Sequence, residues 1–272
     1  MKNKIRTGLL ILALIIMNTS CEEVTDYYLG FPLQPDFTEN AFVEGMNIFG
    51  ILRPDAYADF NKSFVYIQQN WPVLEFNDSS FTIIKYADIR LIEYENDMVV
   101  DTIHFPLLAP DTLFSDTIYR PAEAFIPIPG NTYRLICTHD NLPMATGETL
   151  FPDEPQIVPG SLSVSDKKIQ FAVVPDAGIK MLDIYILNDE YSGFAGRYVT
   201  NDTAGKHITL TPLATGVTKI YIYGYDANLS AYYANANTSL NFNKYRTTYS
   251  TLEEGFGVFG SLNLTELTVE IP

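Results

Sequence analysis

Apolar and polar residues alternate along most of the chain from about residue 41 onward. Residues 43–52, 63–68, 88–95, 98–104, 132–138 and 146–150 each hold β-branched or aromatic residues at period two, the spacing that sends successive side chains to opposite faces of a strand. Glu95-Asn96-Asp97 separates two of these runs and predicts a hairpin turn. Pro127, Pro129, Gly130 and Asn131 mark another turn, and the prolines confine residues 125–128 to a sheet edge. A second series of runs follows at 169–174, 181–187, 207–211, 218–225 and 264–271. In the last of these, Leu267, Val269 and Ile271 face one way and Glu266, Thr268 and Glu270 the other. No stretch sustains a helical apolar spacing for three turns. The pattern predicts an all-β fold of tandem immunoglobulin-like β-sandwiches.

Residues 151–160 hold Pro152, Pro155, Pro159 and Gly160 and form the best linker candidate. The predicted organisation is a signal peptide at 1–20, a lipidated N-terminus and tether at 21–40, a first sandwich at 41–150, the linker at 151–160, and a second sandwich at 161–272. One continuous domain with a bent middle is the alternative.

The leader carries its own pattern. Lys2, Lys4 and Arg6 precede an unbroken apolar run at residues 9–17, and Asn18-Thr19-Ser20 leads into Cys21. The run is too short for a helix across a hydrocarbon core of ~30 Å, so it reads as an export signal. The small residues before Cys21 make the segment resemble a bacterial lipoprotein signal, which implies cleavage before Cys21 and acylation of its thiol. Glu22, Glu23 and Asp26 follow at once. An acidic stretch in that place resembles the signal that sends Bacteroidota lipoproteins to the outer face of the outer membrane; a solvated tether is the plainer account.

Composition narrows the partners. With 47% hydrophobic residues there is apolar material enough for a large core, which excludes wholesale disorder. The net charge is −16, and the densest basic grouping after the leader is Lys167-Lys168, so a nucleic-acid partner is excluded. Membrane attachment is expected through the N-terminal lipid alone. Cys137 is the other cysteine, and alternation places it with Tyr133 and Leu135, where it reads as a buried small hydrophobe. That inventory supports neither a disulfide scaffold nor a Cys/His zinc site.

Candidate chemistry is sparse. The chain lacks a nucleophile elbow, a zinc-protease helix motif, a Walker loop and a calcium loop. His104, His139 and His207 are scattered, and the paired acids Asp153-Glu154, Asp189-Glu190 and Glu253-Glu254 diverge on an extended chain. No metal, cofactor or catalytic residue is expected, and the protein is read as non-enzymatic. Seven tyrosines fall between residues 221 and 249, with Tyr221, Tyr223 and Tyr225 on one strand face, where packing is the favoured role. Residues 226–245 read as a long polar loop whose Tyr232, Tyr233 and Phe242 form a candidate interaction surface; the alternative is that the rings tuck onto the second sandwich.

The closing stretch, Tyr249-Ser250-Thr251-Leu252-Glu253-Glu254-Gly255-Phe256-Gly257-Val258-Phe259-Gly260, resembles the last motif of a Bacteroidota lipoprotein family, the domain of unknown function 4249. Phe42-Val43-Glu44-Gly45 is similar to that family's first strand, and 130–135 with 145–149 to its mid-chain strand pair. The resemblance implies an outer-membrane lipoprotein of a kind often encoded near TonB-dependent receptors, with no catalytic residues to carry over. Partnership with such a receptor in nutrient uptake, on the cell exterior, is the expectation drawn from it and from the acidic stretch after Cys21. Read physically, Gly255, Gly257 and Gly260 predict a bulge, a tight corner or close backbone approach. The functional expectation is a binding or accessory module for a glycan or peptide ligand or an outer-membrane transporter. A structural or adhesive surface protein is the alternative, and a glycan hydrolase a distant third.

Overall fold

The computed structural model describes residues 44–54, 63–70, 83–108, 118–121, 123, 125–165, 168–174, 177–188, 192–200, 205–211, 215–235 and 250–272. Cys21, its leader and tether, and Phe242 lie outside them. The described chain is all-β with one short helix. Its strands are β1 (Met46–Leu52), β2 (Phe64–Gln69), β3 (Asp88–Glu95), β4 (Met98–His104), β5 (Leu107–Leu108), β6 (Ile118–Tyr119), β7 (Thr132–His139), β8 (Leu142–Leu150), β9 (Gln156–Ile157), β10 (Ser163–Val164), β11 (Ile169–Val174), β12 (Met181–Leu187), β13 (Ser192–Val199), β14 (Lys206–Leu210) and β15 (Gly216–Tyr225). Helix α1 (Ala227–Asn235) follows, then β16 (Leu252–Glu253) and β17 (Phe256–Ile271).

The strands enclose two sandwich cores. In the first, β1 and β2 face the five-stranded sheet β16-β8-β7-β3-β4. Met46, Ile48, Leu52, Val65 and Ile67 meet Ile89, Leu91, Tyr133, Leu135 and Cys137 there. In the second, Leu182, Ile184, Ile220, Ile222 and Val269 pack on Ile169, Phe171, Val173, Ile208 and Leu210. The period-two pattern explains both, because strands such as β2, β3, β7 and β15 give alternate residues to their core. The β3–β4 turn is the predicted hairpin, with Asn96 and Asp97 at φ 49° and 65°, the left-handed pair that suits a two-residue connection.

The predicted separation at 151–160 needs correction, because β17 serves both cores. Residues 256–261 pair in parallel with β1, and residues 262–271 pair antiparallel with β15. The result is one path of eight strands, β13-β12-β15-β17-β1-β2-β6-β5. Residues Val43–Ala234 and Tyr249–Pro272 form a single compact unit.

The proline-rich segment is fastened to that shared strand. Ser261 Oγ donates to the Leu150 carbonyl at 2.9 Å, Asn263 Nδ2 to Pro152 at 2.9 Å, and Thr265 Oγ1 to Pro155 at 2.6 Å. Alternation puts all three donors on one face of β17. Prolines cannot donate, but their carbonyls accept, so Pro152 and Pro155 are tied to β17 by side-chain donors, while β9 in the same segment pairs with β11.

Candidate functional site

The glycine motif opens β17, and each glycine meets a different neighbour. A Cβ on Gly257, which sits at φ +99°, would stand 2.1 Å from the Ile48 carbonyl oxygen of β1. On Gly255 it would meet Ala145 Cβ at 2.8 Å, and on Gly260 it would meet Leu229 Cγ at 2.7 Å and Asp226 Oδ1 at 2.9 Å. The motif therefore lets β17 approach β1, β8 and α1 at backbone distance.

Helix α1 stands where a loop is expected over the first part of 226–245. Asp226 caps it: Oδ1 accepts from Leu229 N at 2.8 Å, the three-residue offset of an N-cap. Alanines and Leu229 then carry the turn, and Leu229, Tyr232 and Tyr233 share one helical face. Asp226 is itself buried. Its other oxygen accepts from the Thr149 hydroxyl, and Thr149 also bonds Ser261 at 3.1 Å. Burial raises the Asp226 carboxyl to about 6, against the lowering effect of these donors.

Under α1, both halves contribute to a third apolar cluster of Ile51, Met181, Tyr225, Leu229, Val258 and Leu262. Tyr232 and Tyr233 are half-buried against it. Tyr232 lies 5.9 Å from Phe49 and 5.7 Å from Tyr233, and Tyr233 lies 5.6 Å from Tyr225, all as ring-centroid distances. These two rings thus tuck onto the sheet more than the sequence reading expects of an interaction surface. Tyr221, Tyr223 and Tyr225 do share a face, and Tyr225 is buried in the cluster.

The same sheet face continues onto β12 and β13 with residues that the sequence reading did not single out. Asp183, 1% exposed, takes Arg197 Nε and Nη2 at 2.7 Å each, a two-bond fork across paired strands. The Arg197 guanidinium lies 5.1 Å from the Tyr233 ring centre, a cation–π contact. Its bond to Asp183 pushes its pKa up, so it stays charged. Next along β12, Tyr185 packs edge-on against Phe194 at 5.4 Å and against Tyr223 at 5.5 Å. Burial raises the hydroxyl pKa of Tyr185, Tyr223 and Tyr233. Tyr185 and Phe194 remain 36% and 50% exposed. A bulge opposite Ile184 and Tyr185 leaves Ala195 unpaired and breaks the period of β13, which conceals the strand in the sequence.

Other candidates fall away from this face. Cys137 is fully buried, and burial pushes its thiol up, so it is a thiol and not a nucleophilic thiolate. The register shift after Cys137 sets His139 opposite Leu142. His104 Nδ1 lies 4.0 Å from Asp88 in an exposed group with Arg90. Among the described residues, no group of three or more His, Cys, Asp or Glu side chains could hold a metal ion. No helix among them is long and apolar enough to cross a membrane. Compared with known proteins, the chain matches no family model, and no curated protein matches it in sequence.

Proposed function

We propose that the protein is an outer-membrane lipoprotein, anchored through Cys21 and facing the cell exterior, that acts as a non-enzymatic binding module beside an outer-membrane transporter. The leader pattern and Cys21 support the anchor, and the resemblance of the closing motif supports the address. The observation that carries the binding role is the exposed pair Tyr185–Phe194 beside the Arg197–Asp183 fork. Rigid rings next to a fixed donor group offer contact area at little entropic cost. Cys21→Ala should shift the protein from the membrane fraction to the soluble fraction with an unchanged melting curve; a variant that stays in the membrane refutes the anchor. Native purification from detergent should retain a transporter with the wild type and lose it with Tyr185→Ala/Phe194→Ala, and equal retention refutes the surface.

One observation favours the adhesive alternative. Among the described residues, strand β4 pairs only with β3, and Met98, Val99 and Val100 on it are 65%, 60% and 49% exposed. An open apolar edge is suited to pairing with another strand. Concentration-dependent dimerisation abolished by Val99→Lys would support that reading, and a monomer at all concentrations would exclude it.

A further inference from the structure

We infer that the face made by Phe194, Tyr185 and Arg197 binds an uncharged pyranose unit of a glycan, an inference that rests on reading the protein as a binding module. Three features carry it. The first is the ring pair. A pyranose presents a flat array of C–H bonds on one side and hydroxyls around its rim, and an exposed aromatic ring matches that side by apolar contact. Phe194 gives half its surface to solvent and has no hydroxyl to justify the exposure, while Tyr185 holds it from the side at 5.4 Å.

The second feature is the donor set. Arg197 uses Nε and one Nη2 hydrogen on Asp183, out of the five N–H donors of a guanidinium. Its side chain is 36% exposed, so the remaining donors of the planar fork can meet adjacent sugar hydroxyls. Asp183 neutralises the guanidinium at contact distance. The site is therefore polar without net charge, and the chain's balance of −16 repels anions. An acidic sugar, a phosphate or a carboxylate ligand would find an arginine already satisfied by a carboxylate.

The third feature bears on the competing ligand, an extended peptide. Among the described residues, β13 is the outermost strand of its sheet and could accept a further strand. The bulge at Ala195 interrupts the ladder in the middle of β13 and blunts that edge. A ligand is thus directed to the face of the sheet and not to its border.

The test is titration calorimetry of the whole mature protein with maltohexaose, cellohexaose, laminarihexaose, mannohexaose and xylohexaose, against hexagalacturonate as the charged control. At least one neutral hexasaccharide should bind. Phe194→Ala should weaken it about tenfold, the worth of one stacked ring, while Phe194→Trp should retain it. The ring is at the surface, so both variants should melt like the wild type. No binding by any neutral sugar, equal affinity in Phe194→Ala, or preference for hexagalacturonate overturns the inference. If no sugar binds but Phe194→Ala still loses the transporter in native purification, the sugar assignment alone fails; if both readouts are unmoved, the binding-module reading fails with it.

Discussion

Asp226 joins three elements through one carboxyl. It caps α1, receives the Thr149 hydroxyl from β8, and its own backbone N–H donates to the Ser261 carbonyl of β17 at 3.0 Å. Burial lifts its pKa from 3.8 to about 6, so the folded state holds the proton more tightly than the unfolded chain. The stabilisation from this group is complete below the unfolded value and is lost as pH rises through about 6. About two pKa units correspond to a cost on the order of 3 kcal/mol for ionised Asp226 at neutral pH. Asn caps helices as well as Asp does and carries no charge. Asp226→Asn should therefore lose a share of the pH dependence of melting between pH 4 and 7, measured by calorimetry against the wild type; superimposable pH slopes would show that the carboxyl is not perturbed. The sequence offers only an Asp before Ala227, and that cap becomes readable once α1 is known to begin there.

At the scale of elements, nearly every long alternating run became a strand at its expected place, from β1 to the second half of β17. Those runs carry two-sided patterns that only a strand satisfies. The failures have physical causes. β13 breaks its own period with Gly193, Gly196 and the bulge at Ala195, and α1 is nine residues long, too short to show a sustained helical pattern. The first half of β17 hides behind glycines that exist for its neighbours. Tyr232 and Tyr233 illustrate the consequence for the site: read in a loop they look like free rings, but on α1 they cover Tyr225 and Phe49. Tyr232→Ala/Tyr233→Ala should cost on the order of 3 kcal/mol, less than two fully buried rings because both are partly exposed. Denaturant melts measure this directly, and a loss below about 1 kcal/mol would return the rings to the surface role. Tyr185, Asp183 and Arg197 come together only through the β12–β13 pairing, a register no local pattern specifies.

For the whole molecule, the shared strand sets the unit of cooperativity. The first sandwich needs β16 and β17, which lie at the far end of the chain, so a fragment of residues 41–150 leaves β1 without its parallel partner and exposes the core that Phe259 covers. That fragment should fail to fold, and the mature chain should melt in a single transition. Two resolved calorimetric peaks, or a dispersed NMR spectrum from the 41–150 fragment, would contradict the shared-strand account. The long sequence separation of β1 and β17 also predicts slow folding relative to a protein of local contacts.

The parallel pairing of β1 with β17 also gives the molecule a mechanical direction. A surface protein held at its N-terminus and gripped at β12 and β13 would be pulled on β1 from its start and on β17 from its end. In a parallel pair those forces run along the strands in opposite senses. The register from Asn47–Phe256 to Leu52–Ser261 is then loaded in shear, so its hydrogen bonds share the load and do not open one after another. An antiparallel pair pulled from adjacent ends would unzip under the same load. The architecture thus places a shear-loaded joint between the end that would carry an anchor and the face that would carry a ligand.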